Sequence, residues 1–288
     1  MPDVPQRIDL IGSEGIRLAA DAVGSPSDPP VLLLHGGGQT RHSWHTTLQV
    51  LGTSGWYAVS MDLRGHGDSE WSPDGDYSLR SFAGDVTVVG RSLGRPVLIG
   101  ASLGGISSLA ALGEHHDDPP GRGLVLVDVA PNIEPAGAAR IGAFMQEHMA
   151  SGFASLEEVA DAVHAYNPHR PRPSDLSGVR KNVRLRADGR WYWHWDPRFV
   201  TNPRDVEPRT GLVRADVLEE AARNLTVPVL LVRGRQSDLL SEEGARRFLD
   251  LVPGAAFADV GGAGHMVAGD RNDAFNDAVV SFLASMRA

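Results

Sequence analysis

The stretch Val97-Leu98-Ile99-Gly100-Ala101-Ser102-Leu103-Gly104-Gly105 joins a short apolar run to a helical spacing over Gly104 to Leu112, with a serine at the junction. The run has the length of a buried strand, so the junction reads as a strand-to-helix turn. A serine on so tight a turn is forced into strained backbone, and only very small residues two places before and two places after it let the chain fold back. Gly100 and Gly104 supply that room. The turn lifts Oγ above the sheet and aims backbone N–H groups at a helix start, where partial positive charge favours an oxyanion.

Upstream, Val31-Leu32-Leu33-Leu34 runs straight into His35-Gly36-Gly37-Gly38. A loop without side chains at a strand end brings backbone N–H groups close to a substrate oxygen. The N–H of Gly37 and that of Leu103, the residue after the serine, are the expected oxyanion hole. The loop lacks the Lys and Ser/Thr of a phosphate-binding loop, which disfavours nucleotides.

A nucleophilic serine needs a base, and the base an orienting acid. His265 lies in Gly261-Gly262-Ala263-Gly264-His265-Met266, between the last strand candidate and the terminal helix. Asp238 follows the Val229 to Val232 run, so the chain order is Ser102, Asp238, His265. Asp128 ends the Leu124 to Val127 run and is the alternative acid.

Farther out, strands are expected at Arg7 to Leu10 and Ile16 to Ala22 as an opening hairpin, at Tyr57 to Met61 and, more weakly, at Ala256 to Val260. Helices are expected over Trp44 to Leu51, Leu79 to Leu93, Ser241 to Leu251 and Arg271 to Met286. The alternation is that of an α/β protein with a mostly parallel sheet flanked by helices. It stops from Asn132 to about Val213, a stretch too long for a plain loop. The expected organisation is therefore a core of 1–131 and 214–288 interrupted by an inserted, mainly helical unit, 132–213, with helices at Ala138 to Met149 and Leu156 to Ala165.

At 288 residues and a formal charge of −9, with no clustered basic surface, the chain is a poor nucleic-acid partner. With no cysteine it has no disulfide, thiolate metal site or cysteine nucleophile. Neither a Sec-type leader nor an apolar run of about 18 residues is present, so a cytoplasmic, non-membrane protein is expected. His42 and His45 lack the carboxylates of a metal site and read as rim residues; no metal is expected. Trp191, Trp193 and Trp195 fall on one face if extended, and serve either as an apolar wall of the substrate pocket, with Met266, or as anchors of the insertion. Oligomeric state leaves no mark.

Together with Asp62-Leu63-Arg64-Gly65-His66-Gly67-Asp68-Ser69, a D-x-R-G-H-G-x-S stretch, these motifs resemble the α/β-hydrolase fold, in the lid-bearing branch of esterases, lactonases, perhydrolase-like proteins and C–C bond hydrolases. The resemblance spans the core on both sides of the insertion. It implies an eight-stranded sheet, a helical cap inserted after the strand ending near Val127, and a catalytic triad that needs no cofactor. His66 is expected to hold its own loop rather than touch substrate. Ser102 argues against the epoxide hydrolases and haloalkane dehalogenases of the fold, which carry Asp there. Gln39-Thr40 stands where C–C hydrolases usually have Pro-Gly, and Met266 where they usually have Trp. The expected activity is therefore hydrolysis of a small to medium, moderately hydrophobic ester or lactone through an acyl-enzyme. C–C hydrolysis ranks below it. So do a cofactor-free dioxygenase or perhydrolase, the dioxygenase with its acid at the Asp128 position, and a non-catalytic binder.

Overall fold

The computed structural model describes residues 4–168, 170–201, 214–270 and 272–286. Its strands are β1 (Gln6–Ile11), β2 (Arg17–Val23), β3 (Pro30–Leu34), β4 (Tyr57–Met61), β5 (Val97–Ala101), β6 (Gly123–Val127), β7 (Val183–Leu185), β8 (Trp191–Trp193), β9 (Val229–Gly234) and β10 (Ala256–Val260). Eight of them form one sheet in the order β1-β2-β4-β3-β5-β6-β9-β10. β2 pairs antiparallel with β1 and β4, and the remaining pairings are parallel.

The central runs are continuously apolar because both faces of the sheet are covered. Leu32 and Leu34 of β3 pack with Phe82, Val86, Leu109 and Leu218 from helices Leu79–Ser92, Leu103–Glu114 and Ala215–Arg223. Val31 and Leu33 face the other way, against Leu48, Leu51, Phe275 and Val279 from helices His45–Thr53 and Asn272–Ser285. Parallel pairing then brings His35, Ser102, Asp128 and the residues after Gly234 to one edge, each just beyond the C-terminal end of its strand.

Between β6 and β9, residues 132–201 add no strand to this sheet. They carry helices Pro135–Gln146 and Leu156–Tyr166, the antiparallel β7–β8 pair, and an apolar cluster of their own that includes Met145, Phe153, Val159, Trp193 and Trp195. The first helix begins three residues before the expected Ala138, with Pro135 in its first turn, where a missing N–H costs nothing. The β7–β8 pair was not expected, since three-residue strands are too short to show a period. Residues 202–213 of the expected insertion and Arg271 of the last expected helix lie outside the described residues. Among the described residues, no helix is long and apolar enough to cross a membrane.

The loop after β4 is built on buried charge. Arg64 grips Asp85 of helix Leu79–Ser92 through two hydrogen bonds, 2.6 Å from Nε and 2.7 Å from Nη2, and both side chains are 1% exposed. Asp85 also accepts from the backbone N–H and hydroxyl of Ser13. Asp62 accepts the N–H of Arg41 and of Asp68, and Ser69 Oγ donates to its carbonyl. Removing one member of such a pair strands the other charge in the interior, at a cost of about 3–5 kcal/mol. Arg64→Met is accordingly expected to lower the free energy of urea unfolding by that amount, and a loss below about 1 kcal/mol would contradict the bracing role.

Candidate active site

Ser102 has φ 46° and ψ −114°, a strained conformation for a residue with a side chain. The absence of side chains around it is what permits this. A Cβ on Gly100 would stand 2.5 Å from the backbone of Gly104, and one on Gly104 would stand 2.5 Å from the carbonyl oxygen of Leu34. The helix start is also tied to the neighbouring strand end, because the N–H of Gly104 donates to the carbonyl of His35 at 3.1 Å.

The loop His35-Gly36-Gly37-Gly38 passes directly over the serine; a Cβ on Gly36 would lie 3.3 Å from Ser102 Cβ. Its outer amides are engaged. Gly36 N–H donates to Gln39 Oε1 at 3.1 Å, and Gly38 N–H donates to His66 Nε2 at 3.2 Å. Gly37 N–H and Leu103 N–H take no protein partner among the described residues. Both amides expected to bind an oxyanion are therefore available for one.

Three buried imidazoles hold this loop. His35 Nδ1–H donates to the Gly36 carbonyl and its Nε2 accepts the N–H of Leu63. His66 Nδ1–H donates to the Arg64 carbonyl, which leaves Nε2 to accept from Gly38. His194, from the insertion, accepts the N–H of Gly67 on Nδ1 at 2.7 Å and donates from Nε2 to the Gly38 carbonyl at 3.3 Å. Each ring thus acts once as donor and once as acceptor, a pattern open only to neutral histidine. His66 does hold backbone, as expected, but its reach extends to the glycine loop. Sequence reasoning missed the role of His194, because the aromatic run around it points to packing.

At the other side of the serine, His265 Nδ1–H donates to Asp128 Oδ2 at 2.7 Å. Asp128 is fully buried, has φ 52°, and also accepts from Gly234 N–H at 2.9 Å and Ser237 Oγ at 2.5 Å. The histidine loop is pressed onto the end of β9, where a Cβ on Gly234 would meet the Gly264 carbonyl at 2.2 Å. Gln236 N–H donates to Ala263 O across the same contact. The expected partner, Asp238, lies elsewhere. Its carboxylate is 43% exposed and is held by Arg140 from the insertion, at 2.7 Å from both Nε and Nη2. Partial burial opposes ionisation of Asp238, yet the hydrogen bond and charge of Arg140 prevail and keep its pKa below the ordinary value. The cause is the close packing of helix Pro135–Gln146, whose Gly137 would bring a Cβ within 2.2 Å of the Asp238 carbonyl. The acid partner of His265 is thus Asp128 and not Asp238.

Ser102 and His265 open into a cavity of about 330 Å³. Its far wall comes from the insertion, with Ile141, Phe144, Met145, Trp193 and Trp195. Trp193 and Trp195 stack with centroids 4.9 Å apart, and Met266 lines the cavity beside Gln39. Trp191 is not part of the lining, which leaves it the anchoring role of the two expected. It sits at the far end of β8, where its backbone pairs with Phe153 and its ring takes the Arg180 guanidinium.

Burial lowers the pKa of His35 to about 4 and that of His66 to about 3, and lowers that of His194. An imidazole in the unfolded chain titrates near 6.5, so below that pH the unfolded state binds more protons and stability falls with pH until the folded groups titrate. His35 and His66 each contribute a slope approaching about 1.4 kcal/mol per pH unit between about 6.5 and 4, and His194 adds to it in the same direction. Urea unfolding across that interval is expected to show the loss, and His66→Gln to shallow it by about one histidine's share. A slope unchanged in that variant would contradict the neutral clamp.

The chain matches the alpha/beta hydrolase family over residues 31–278. It is 33% identical over 223 residues to an esterase of Mycobacterium tuberculosis, a match covering 75% of this chain and 70% of that one. It is 28% identical over 268 residues to a 3-hydroxybutyrate-oligomer hydrolase of Cupriavidus necator, with 90% of each covered. The crystal structure of the M. tuberculosis esterase superposes with a TM-score of 0.77 at 27% identity, covering 98% of this chain and 93% of that one. The strand-to-helix turn at Ser102, the glycine loop and the sheet order agree with these similarities: the chain belongs to the alpha/beta hydrolase family.

Proposed function

We propose that the protein is a serine hydrolase that cleaves a small-molecule carboxylic ester or lactone through an acyl-enzyme. Ser102 Oγ attacks the carbonyl carbon while His265 Nε2 takes its proton. The same nitrogen returns that proton to the leaving oxygen and then activates the water that frees the acid. Asp128 fixes the imidazole with Nδ1–H toward itself, so that Nε2 is the basic nitrogen. Gly37 and Leu103 N–H groups stabilise the oxyanion, each by about 3 kcal/mol in comparable sites. The insertion acts as the cap, and its aromatic wall suits a moderately hydrophobic substrate.

The observation that carries this reading is the Asp128–His265 hydrogen bond at the edge of a cavity that also holds a strained serine under an unspent glycine amide. The names of the two relatives, an esterase and an oligomer hydrolase, support an ester bond as the target. The same hydrogen bond favours one second reading, since cofactor-free dioxygenases of this fold place their acid at the Asp128 position.

In a p-nitrophenyl ester series, Asp128→Asn is expected to lower kcat by about 10⁴, the loss typical of a misoriented catalytic histidine. Asp238→Asn is expected to change it by less than about tenfold. The reverse ranking would overturn the assignment of the acid. Oxygen uptake by a protein that hydrolyses no ester would favour the dioxygenase reading.

A further inference from the structure

Lys181 is the only lysine in the chain, the rest of its 27 basic residues being arginine. It lines the larger of two cavities that reach Ser102 and His265; the smaller, of about 140 Å³, is lined by Arg170, whose guanidinium donates to the Met266 carbonyl. No Asp or Glu lines the larger cavity, which makes Lys181 the one permanently charged group among its described lining residues. Four of the eight arginines among the described residues of 132–201 are held in ion pairs: Arg140 with Asp238, Arg172 with Asp161, Arg184 with Asp68 and Arg198 with Asp196. Lys181 forms no ion pair among the described residues. Its charge is nevertheless felt across the cavity. His42, which also lines it, has its pKa lowered first by burial and then by Arg41 and Lys181.

Asp21, 3.6 Å from His42 Nδ1, is held by Arg41 at 3.0 Å; the Asp175 carboxylate accepts the N–H and hydroxyl of Ser177 and also feels the Lys181 charge, without a salt bridge to it. Asn182, next to the lysine, also lines the cavity, and its side-chain amide takes no protein partner among the described residues. An ammonium and an amide without internal acceptors, in a cavity whose lining also includes Phe144, Met145 and two tryptophans, match a carboxylate on a short apolar chain.

We propose that Lys181, with Asn182, is an anion-recognition subsite, and that the substrate is an ester whose far end carries an ionised carboxylate. This rests on the ester-hydrolase reading and adds the class of substrate to it. Lys181 acts as a specificity residue: it holds the remote carboxylate so that the scissile carbonyl lies over Ser102.

Matched pairs of monomethyl and dimethyl esters of glutaric, adipic and suberic acid test this, because each pair differs only at the far end, an ionised carboxylate against its methyl ester, once the two equivalent ester bonds of the diester are counted. The expected result is a kcat/KM ratio favouring the monoester, weakened by added salt. Lys181→Gln should lower that ratio by about tenfold, and Lys181→Arg should retain it. An independent readout uses the lone lysine. After reductive ¹³C-methylation, the Lys181 methyl resonance should shift saturably with adipate in both the wild type and Ser102→Ala. A ratio near one that Lys181→Gln does not change, with no adipate-induced shift, would overturn the subsite even if dimethyl esters are cleaved. A saturable shift in a protein that cleaves no ester would retain the anion site and reject the hydrolase reading.

Discussion

The left-handed backbone of Ser102 constrains everything around it. A side chain can be carried there only if the strand before and the helix after approach each other without interposed atoms, which excludes Cβ groups at positions 100 and 104. The same close approach presses the helix start onto the end of β3, so that the His35 carbonyl receives the N–H of Gly104 and the glycine loop is drawn over the serine. Strain at one residue therefore sets the distance between two strand ends, and that distance sets where an oxyanion could sit.

The loop that completes this arrangement has almost no side chains with which to hold itself. Its shape is imposed from outside by neutral imidazoles, two from the core and one from the insertion. His194 is the telling member, because it bonds Gly67 in the loop after β4 and Gly38 in the glycine loop at once. The insertion thus shapes the cavity wall and also fixes backbone beside the serine. Arg64 and Asp85 carry the load beneath, anchoring the β4 loop to a helix through a buried ion pair.

Much of this was legible in the residues. Continuous apolar runs identified β3, β5, β6 and β9, since only strands covered on both faces need them, and the glycines around Ser102 announced the turn. The acid was not decided by the same signals. Asp128 and Asp238 both lie beyond apolar strands at the same sheet edge, and what separates them is three-dimensional: a left-handed turn at Asp128 and capture of Asp238 by Arg140, a residue about a hundred positions away. The β7–β8 pair was hidden for a simpler reason, as two three-residue strands carry too few alternations to be seen. Trp191 shares a strand with Trp193 but stands at its outer end, which spacing alone does not reveal.

The proposed chemistry requires Ser102 to be an activated nucleophile. Treating the wild type and Ser102→Ala with a fluorophosphonate, followed by intact mass and peptide mapping, tests it most directly. One adduct is expected, on Ser102, absent from the variant. A folded wild type that takes no label, or an adduct that persists in Ser102→Ala, would contradict it.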